Sequence, residues 1–279
     1  MDLVSAIDES VKYIRTKTSV VPQTGVILGT GLGDLADILQ DKVTIDYHDI
    51  PHFPVSTAPS HKGILHIGAL GNRNICMMQG RVHRYEGYSL QQVTYPVRVL
   101  KALGCTTLIV MCAVGSVNPT MRAGELVLIS DHINLFGDNP LIGPNDDRLG
   151  VRFPDMSEPY SRSLMDLAQR VALTMKLSLP RGVYLGWSGP SLETAAEYRM
   201  ISRLGADMVG MSTVPEVIVA RHGHMDVLGI ATVTNYCDYC NLMPCTEEQV
   251  VQTSLSVSEK TKRLIPAILR EIASPTSCG

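Results

Sequence analysis

The chain has 279 residues, with 24 Lys+Arg against 27 Asp+Glu and a formal net charge of −3. An apolar fraction of 45% with only 18% charged residues excludes an intrinsically disordered chain. The slightly acidic balance, pI ≈ 6.2, excludes a general binder of nucleic-acid backbones, which needs a basic face.

The first twenty residues are broken by Asp2, Asp8 and Glu9, so they read as an amphipathic helix rather than a leader, with Leu3, Ile7, Val11 and Ile14 on one stripe. Strands are expected at 25–28, 43–47, 64–69, 74–79, 107–113, 126–129, 183–187, 208–211 and 227–234. Helices are expected at 90–103, 157–176, 194–204, 214–222 and 247–272, followed by a loose tail, SPTSCG. Strands alternating with helical patterns are the mark of an α/β domain. The longest apolar run, 108–114, is far short of the roughly 18–20 residues of a membrane helix. Seven cysteines, an odd number without an export signal, imply reduced thiols and a cytoplasmic protein. Only 3 phenylalanines accompany 10 tyrosines, an uneven aromatic usage.

Five segments carry chemistry. GTGLGDL (29–35) follows an apolar run, and its Gly29-x-Gly31-x-Gly33 spacing departs from a dinucleotide fingerprint and from a triphosphate loop. It is either an anion-holding turn with free backbone N–H groups or a plain strand-to-helix turn. QGRVHRYEGY (79–88) places Arg81, His83 and Tyr85 on one side of a strand end, and a guanidinium fork beside an imidazole suits a phosphate dianion. SGPSLETAAEYR (188–199) puts Glu193 at a helix start, where the dipole favours its ionised form and a carboxylate accepts ring N–H groups; simple helix-terminal charge bias gives the same pattern.

In GMSTVPEVIVARH (210–222), Ser212 stands before a helix N-terminus with Pro215 in its first turn. His222 and His224 at the far end read as partners of the helix dipole. Cys237 and Cys240 form a C-x-x-C pair with no second pair to complete a zinc site. Two irregular stretches, 135–159 and 235–246, are long enough to be candidate active-site walls.

Taken in order, GTGLG, IPHFPVSTAPSHKG, QGRVHRYEGY, GSVNP, DHINL, GPNDDRLGVRFPDMS, GPSLETAAE, GMSTVPEVIVARH and TN resemble the trimeric purine nucleoside phosphorylases over nearly the whole chain. The resemblance implies one α/β domain over residues 1–279, a mixed central sheet forming a distorted barrel flanked by helices, and a homotrimer with active sites near subunit boundaries. It implies phosphorolysis of 6-oxopurine nucleosides (inosine, guanosine and their deoxy forms) in purine salvage, giving free base and pentose 1-phosphate. Phosphate is then a co-substrate, and no metal, organic cofactor, nucleic acid or membrane takes part.

Carried over by position, the resemblance implies a phosphate cradle of Thr30, His61, Arg81, His83, Ala113 and Ser212. It implies ribose contacts from Tyr85 and Met211, base reading by Glu193 and Asn235, and catalytic parts for Asn235, Glu193 and His83. Three positions depart from the family pattern. Leu149 and Leu192 stand where aromatics usually meet sugar and base, Leu149 from the neighbouring subunit, and Thr246 or Glu247 replaces a histidine at the ribose 5′-hydroxyl. A methylthioadenosine-type phosphorylase and a nucleoside-binding protein without turnover are the alternatives. The former prefers Ser and Asp where this chain has Glu193 and Asn235.

Overall fold

The structure, a computed structural model, describes residues 2–58 and 61–272, so the expected tail lies outside the described residues. Nine strands form one mixed sheet among them: β1 Thr24–Ile27, β2 Gln40–Asp46, β3 Ile64–Leu70, β4 Arg73–Gln79, β5 Thr107–Ser116, β6 Leu126–Asn134, β7 Arg181–Gly186, β8 Met208–Gly210 and β9 Asp226–Tyr236. Their order is β2-β3-β4-β1-β5-β8-β7-β6-β9, and β9 also pairs with β5. That last pairing closes β5, β8, β7, β6 and β9 into a barrel, from which β1, β4, β3 and β2 continue as a wing. The fold is a single mixed α/β domain, as expected.

β5 is the hinge of this arrangement. It pairs parallel with β1 on one side and with β9 on the other, and Leu108 to Met111 are fully buried. A strand covered on both faces reads as a continuous apolar run, the pattern that marks 108–114. Each expected strand exists, with ends shifted by a few residues, most at β6, which continues to Asn134.

Among the described residues seven α-helices flank the sheet: α1 Leu3–Lys17, α2 Leu90–Leu103, α3 Arg162–Thr174, α4 Ala195–Arg203, α5 Val214–His222, α6 Glu247–Ser256 and α7 Ser258–Glu271. Ile7 and Ile14 bury the α1 stripe, whereas Leu3 remains exposed. Two helices differ from expectation. α3 begins at Arg162 because Ser161 caps it, after the turn at Pro159. The expected helix 247–272 is two helices, broken at buried Val257 (φ −97, ψ −1), the second of which, α7, packs against α3.

The core predicts a specific cost. Ile109 is fully buried on β5, so Ile109→Ala lowers stability by about 2–5 kcal/mol. Urea unfolding monitored by circular dichroism measures it as a lower midpoint.

Candidate active site

One cavity of about 190 Å³ lies where β4, β5, β8 and β9 end. The structure brings to its wall Thr30, His61, Arg81, His83, Tyr85, Ala113, Leu192, Glu193, Met211, Ser212 and Asn235, eleven of the residues singled out by sequence.

The cationic end comes from the segment after β4. Arg81 is 3% exposed, and its Nη1 donates to Glu216 Oε1 of α5 at 3.0 Å while Nη2 donates to the Met111 carbonyl. This modifies the expectation from sequence, since part of the guanidinium fork is engaged by protein and the remainder faces the cavity. His83 stacks on Tyr85 with ring centres 4.7 Å apart, and its Nδ1 lies 3.1 Å from Glu86 Oε1. Burial opposes ionisation of Glu86, but hydrogen bonds from His83 and Thr57 outweigh it and hold the carboxyl at about 2. A carboxylate on Nδ1 leaves Nε2 as the ring nitrogen open to a ligand. The His61 ring centre lies 5.0 Å from that of His83, and its buried Nδ1 has no partner among the described residues. Burial, then the neighbouring His83 and Arg81, pushes its pKa down to about 3. Gly80 makes this approach possible: at φ +106, a Cβ there would lie 2.7 Å from His61 Cβ.

Ser212 is fixed between β8 and α5. Its N–H donates to the Tyr184 hydroxyl at 3.2 Å, and that hydroxyl donates to the Ser212 carbonyl at 3.1 Å. The next residue, Thr213, is fully buried and held at φ +69, ψ −56, a conformation costly for a β-branched residue. Such strain aims the chain so that α5 opens toward the cavity.

Asn235 owes its position to a β-bulge. Val233 pairs with Val114 and Asn235 with Gly115, so Thr234 is an extra residue in β9. The bulge turns Asn235 toward the cavity, a common use of bulges beside active sites. Glu193 sits opposite, two residues before α4, and is 7% exposed. Burial raises its pKa, partly offset by a hydrogen bond from Tyr198. The expectation that the helix start favours its ionised form is therefore corrected: Thr194 and Glu197 cap α4, and desolvation dominates at Glu193.

Two expected residues lie elsewhere. Leu149 lines a separate cavity of about 340 Å³ with Arg98, Lys101 and Val219. Glu247 opens α6 outside the cavity wall, yet close enough to Tyr85 to help burial and Glu86 push its phenol up to about 12. His222 is also corrected: it is 2% exposed beside Arg98, and burial lowers its pKa, so it is not a charged dipole partner. Cys237 is buried and Cys240 exposed, and no group of three or more metal-ligating side chains occurs among the described residues.

Sequence reasoning missed Tyr198, Thr234, Cys245 and Val250, all on the cavity wall. Tyr198, five residues after Glu193 and one helical turn past the Thr194 cap, was the detectable one.

The family model described as the phosphorylase superfamily matches residues 23–270. Purine nucleoside phosphorylase 1 of Geobacillus stearothermophilus is 51% identical, over 96% of this chain and 98% of its own length. The mouse purine nucleoside phosphorylase is 44% identical over 96% of this chain and 95% of its own. A solved purine nucleoside phosphorylase of Schistosoma mansoni, in complex with inosine, superposes with a TM-score of 0.92 at 38% identity, covering 97% and 98% of the two chains. The chain belongs to the phosphorylase superfamily and, within it, to the purine nucleoside phosphorylases.

Two predictions follow from the buried charges. Glu216→Ala leaves Arg81 buried without its counter-ion, costing about 3–5 kcal/mol, which calorimetry detects as a lower Tm. Burial also pushes His132 down to about 4. An unfolded histidine titrates near 6.5, so the unfolded chain takes up these protons first. Stability is full above about pH 6.5 and falls as pH drops toward the folded values of about 3 and 4. His132→Gln flattens the fall in Tm between pH 6.5 and 5.

Proposed function

We propose that this chain catalyses phosphorolysis of 6-oxopurine nucleosides, releasing the free base and forming ribose or deoxyribose 1-phosphate in purine salvage. One observation carries the reading: a cationic, hydrogen-bonding end (Arg81, His83, His61, Ser212) and a base-reading end (Glu193, Asn235) share one cavity.

In this reading phosphate lies against Arg81, His83, His61, Thr30, Ser212 and the backbone at Ala113. His61 Nδ1, which has no partner among the described residues, and the open His83 Nε2 are available to its oxygens. The Arg81 guanidinium attracts a dianion there, and hydrogen bonds from the ring nitrogens and the Ser212 hydroxyl would fix its oxygens. Tyr85 and Met211 cover the ribose, and Glu247 stands nearest the 5′-hydroxyl side. Ionised Glu193 accepts N1–H of hypoxanthine or guanine, and in guanine the 2-amino group as well. Asn235 meets N7 and O6.

As the glycosidic bond lengthens, the sugar gains oxocarbenium character and the base gains negative charge. An Asn235 N–H directed at N7/O6 binds that growing charge more tightly than the neutral nucleoside, which lowers the barrier. Phosphate held beneath C1′ attacks as a positioned nucleophile while its charge supports the sugar cation. The nucleophile is phosphate and no electrons change hands, so the reaction as written calls for no metal or organic cofactor. The chain acts in the cytoplasm as a homotrimer in which Leu149 of one subunit covers the sugar of the next. No helix among the described residues is long and apolar enough to cross a membrane.

Leu192, half exposed at the base side, gives apolar cover but no ring to stack. An aromatic–base contact is worth about 1–3 kcal/mol, so Leu192→Phe lowers KM for inosine by about fivefold or more with phosphate KM unchanged. Base release from inosine or guanosine is assayed with and without phosphate. Strict phosphate dependence is expected; no release from either at high enzyme concentration overturns the assignment, and adenosine-type substrates outcompeting inosine replace it with the methylthioadenosine-type activity.

A further inference from the structure

A second cavity, of about 670 Å³, opens beside the nucleoside cavity. The two share Leu192, Glu193, Tyr198, Thr234, Asn235 and Cys245, so the pair of side chains assigned to the base stands on the boundary between them.

The far wall is built by the segment between β9 and α6. It turns at Asp238, whose carboxylate accepts from the Cys240 N–H at 2.9 Å and whose carbonyl accepts from the Asn241 N–H at 3.0 Å. The chain then lays Leu242, Met243 and Pro244 along the cavity before Thr246 caps α6, which adds Gln249 and Thr253. Leu192, Tyr236, Leu242 and Met243 are large apolar side chains left exposed, and all four line this hollow. Single exposed apolar residues need no explanation, but four around one cavity mark a binding surface. Charge narrows the occupant further. Among the described residues the wall carries no basic side chain and no acid other than Glu193, so it suits a neutral, apolar group and not a phosphate.

Continuity with the nucleoside cavity decides what delivers that group. In the proposed function Glu193 holds N1 and Asn235 holds N7, so position 6 of the purine lies between the two contacts and faces the boundary. We propose that the enzyme also takes guanine nucleosides alkylated at O6, with the alkyl chain lying in the second cavity against Leu242 and Met243. The inference rests on the proposed function and extends its substrate class.

An O6-alkylguanosine keeps its 2-amino group as a donor to Glu193 and its N7 as an acceptor for an Asn235 N–H. It loses N1–H, and with it one charge-assisted hydrogen bond. The bonds made and broken are those of guanosine phosphorolysis. A phosphate oxygen bonds to C1′ as the C1′–N9 bond breaks, the bonding pair leaves with the base, and the base takes a proton from water. Burial of the alkyl chain offsets the lost donor, since each fully buried CH₂ strengthens binding about fourfold.

The test measures kcat/KM at saturating phosphate for guanosine, O6-methylguanosine, O6-butylguanosine and N2-butylguanosine. O6-methylguanosine loses the N1–H but is too short to enter the second cavity, and is expected to fall about 10- to 100-fold below guanosine. O6-butylguanosine is expected about tenfold above the methyl compound, because its three further CH₂ groups are partly buried. Met243→Asp places a charge in the apolar wall at a side chain that is 71% exposed, a position that tolerates substitution without loss of the fold. It reduces the butyl-over-methyl gain to about twofold or less and leaves guanosine within about twofold. O6-butylguanosine no better than O6-methylguanosine overturns the inference, as does N2-butylguanosine outrunning O6-butylguanosine or a gain that survives in Met243→Asp. Absence of guanosine phosphorolysis in the unaltered enzyme overturns the function itself, a separate outcome.

Discussion

The parallel pairing of β5 with β9 is the contact on which the rest of the molecule depends. It closes the barrel, and its C-terminal end is also the floor of the cavity. Along Thr107–Val114 the register is regular, and both strands are almost wholly buried. At Thr234 it slips by one residue. That slip ends the structural use of the pair and begins its functional one: Ala113, Gly115 and Asn235 come to the surface of one hollow instead of continuing a ladder.

A second constraint acts across the cavity. Arg81, His61 and His83 are buried close together, with Glu216 paired to Arg81 and Glu86 to His83. Keeping His61 neutral is how the folded chain tolerates the crowding, at the cost of acid stability. His61 Nδ1, which has no partner among the described residues, can serve an oxyanion there. Stability and function compete here, as the strained Thr213 beside Ser212 also shows.

Much of the fold was legible because strand and helix periods differ and turn residues fall between them. The nine strands follow from short apolar runs such as 108–114, and α1 from its stripe. What escaped was set by tertiary packing. Val257 breaks the last helix although nothing in its local propensity requires it. Barrel closure is a pairing between strands more than a hundred residues apart, which periodicity does not encode. At the site, short motifs exposed Arg81, His83, Glu193 and Ser212, since charged and polar residues at strand ends and helix starts carry their own signal. The partner Glu216 was hidden inside an apolar helix, and the Glu193 carboxyl was misjudged because burial outweighs the helix terminus. Leu149 lines a separate cavity of its own chain, and only the proposed trimer would give it a place at a site. The scarcity of phenylalanine has one local counterpart: Leu192 lines the cavity, at a position where the resemblance implies an aromatic.

The central claim is that phosphate, not water, attacks C1′. Phosphorus-31 NMR of a reaction containing inosine and inorganic phosphate tests it directly. A sugar 1-phosphate resonance should grow one-for-one with released hypoxanthine, while inorganic phosphate declines by the same amount. Hypoxanthine released with free ribose and no change in the phosphate signal would contradict it.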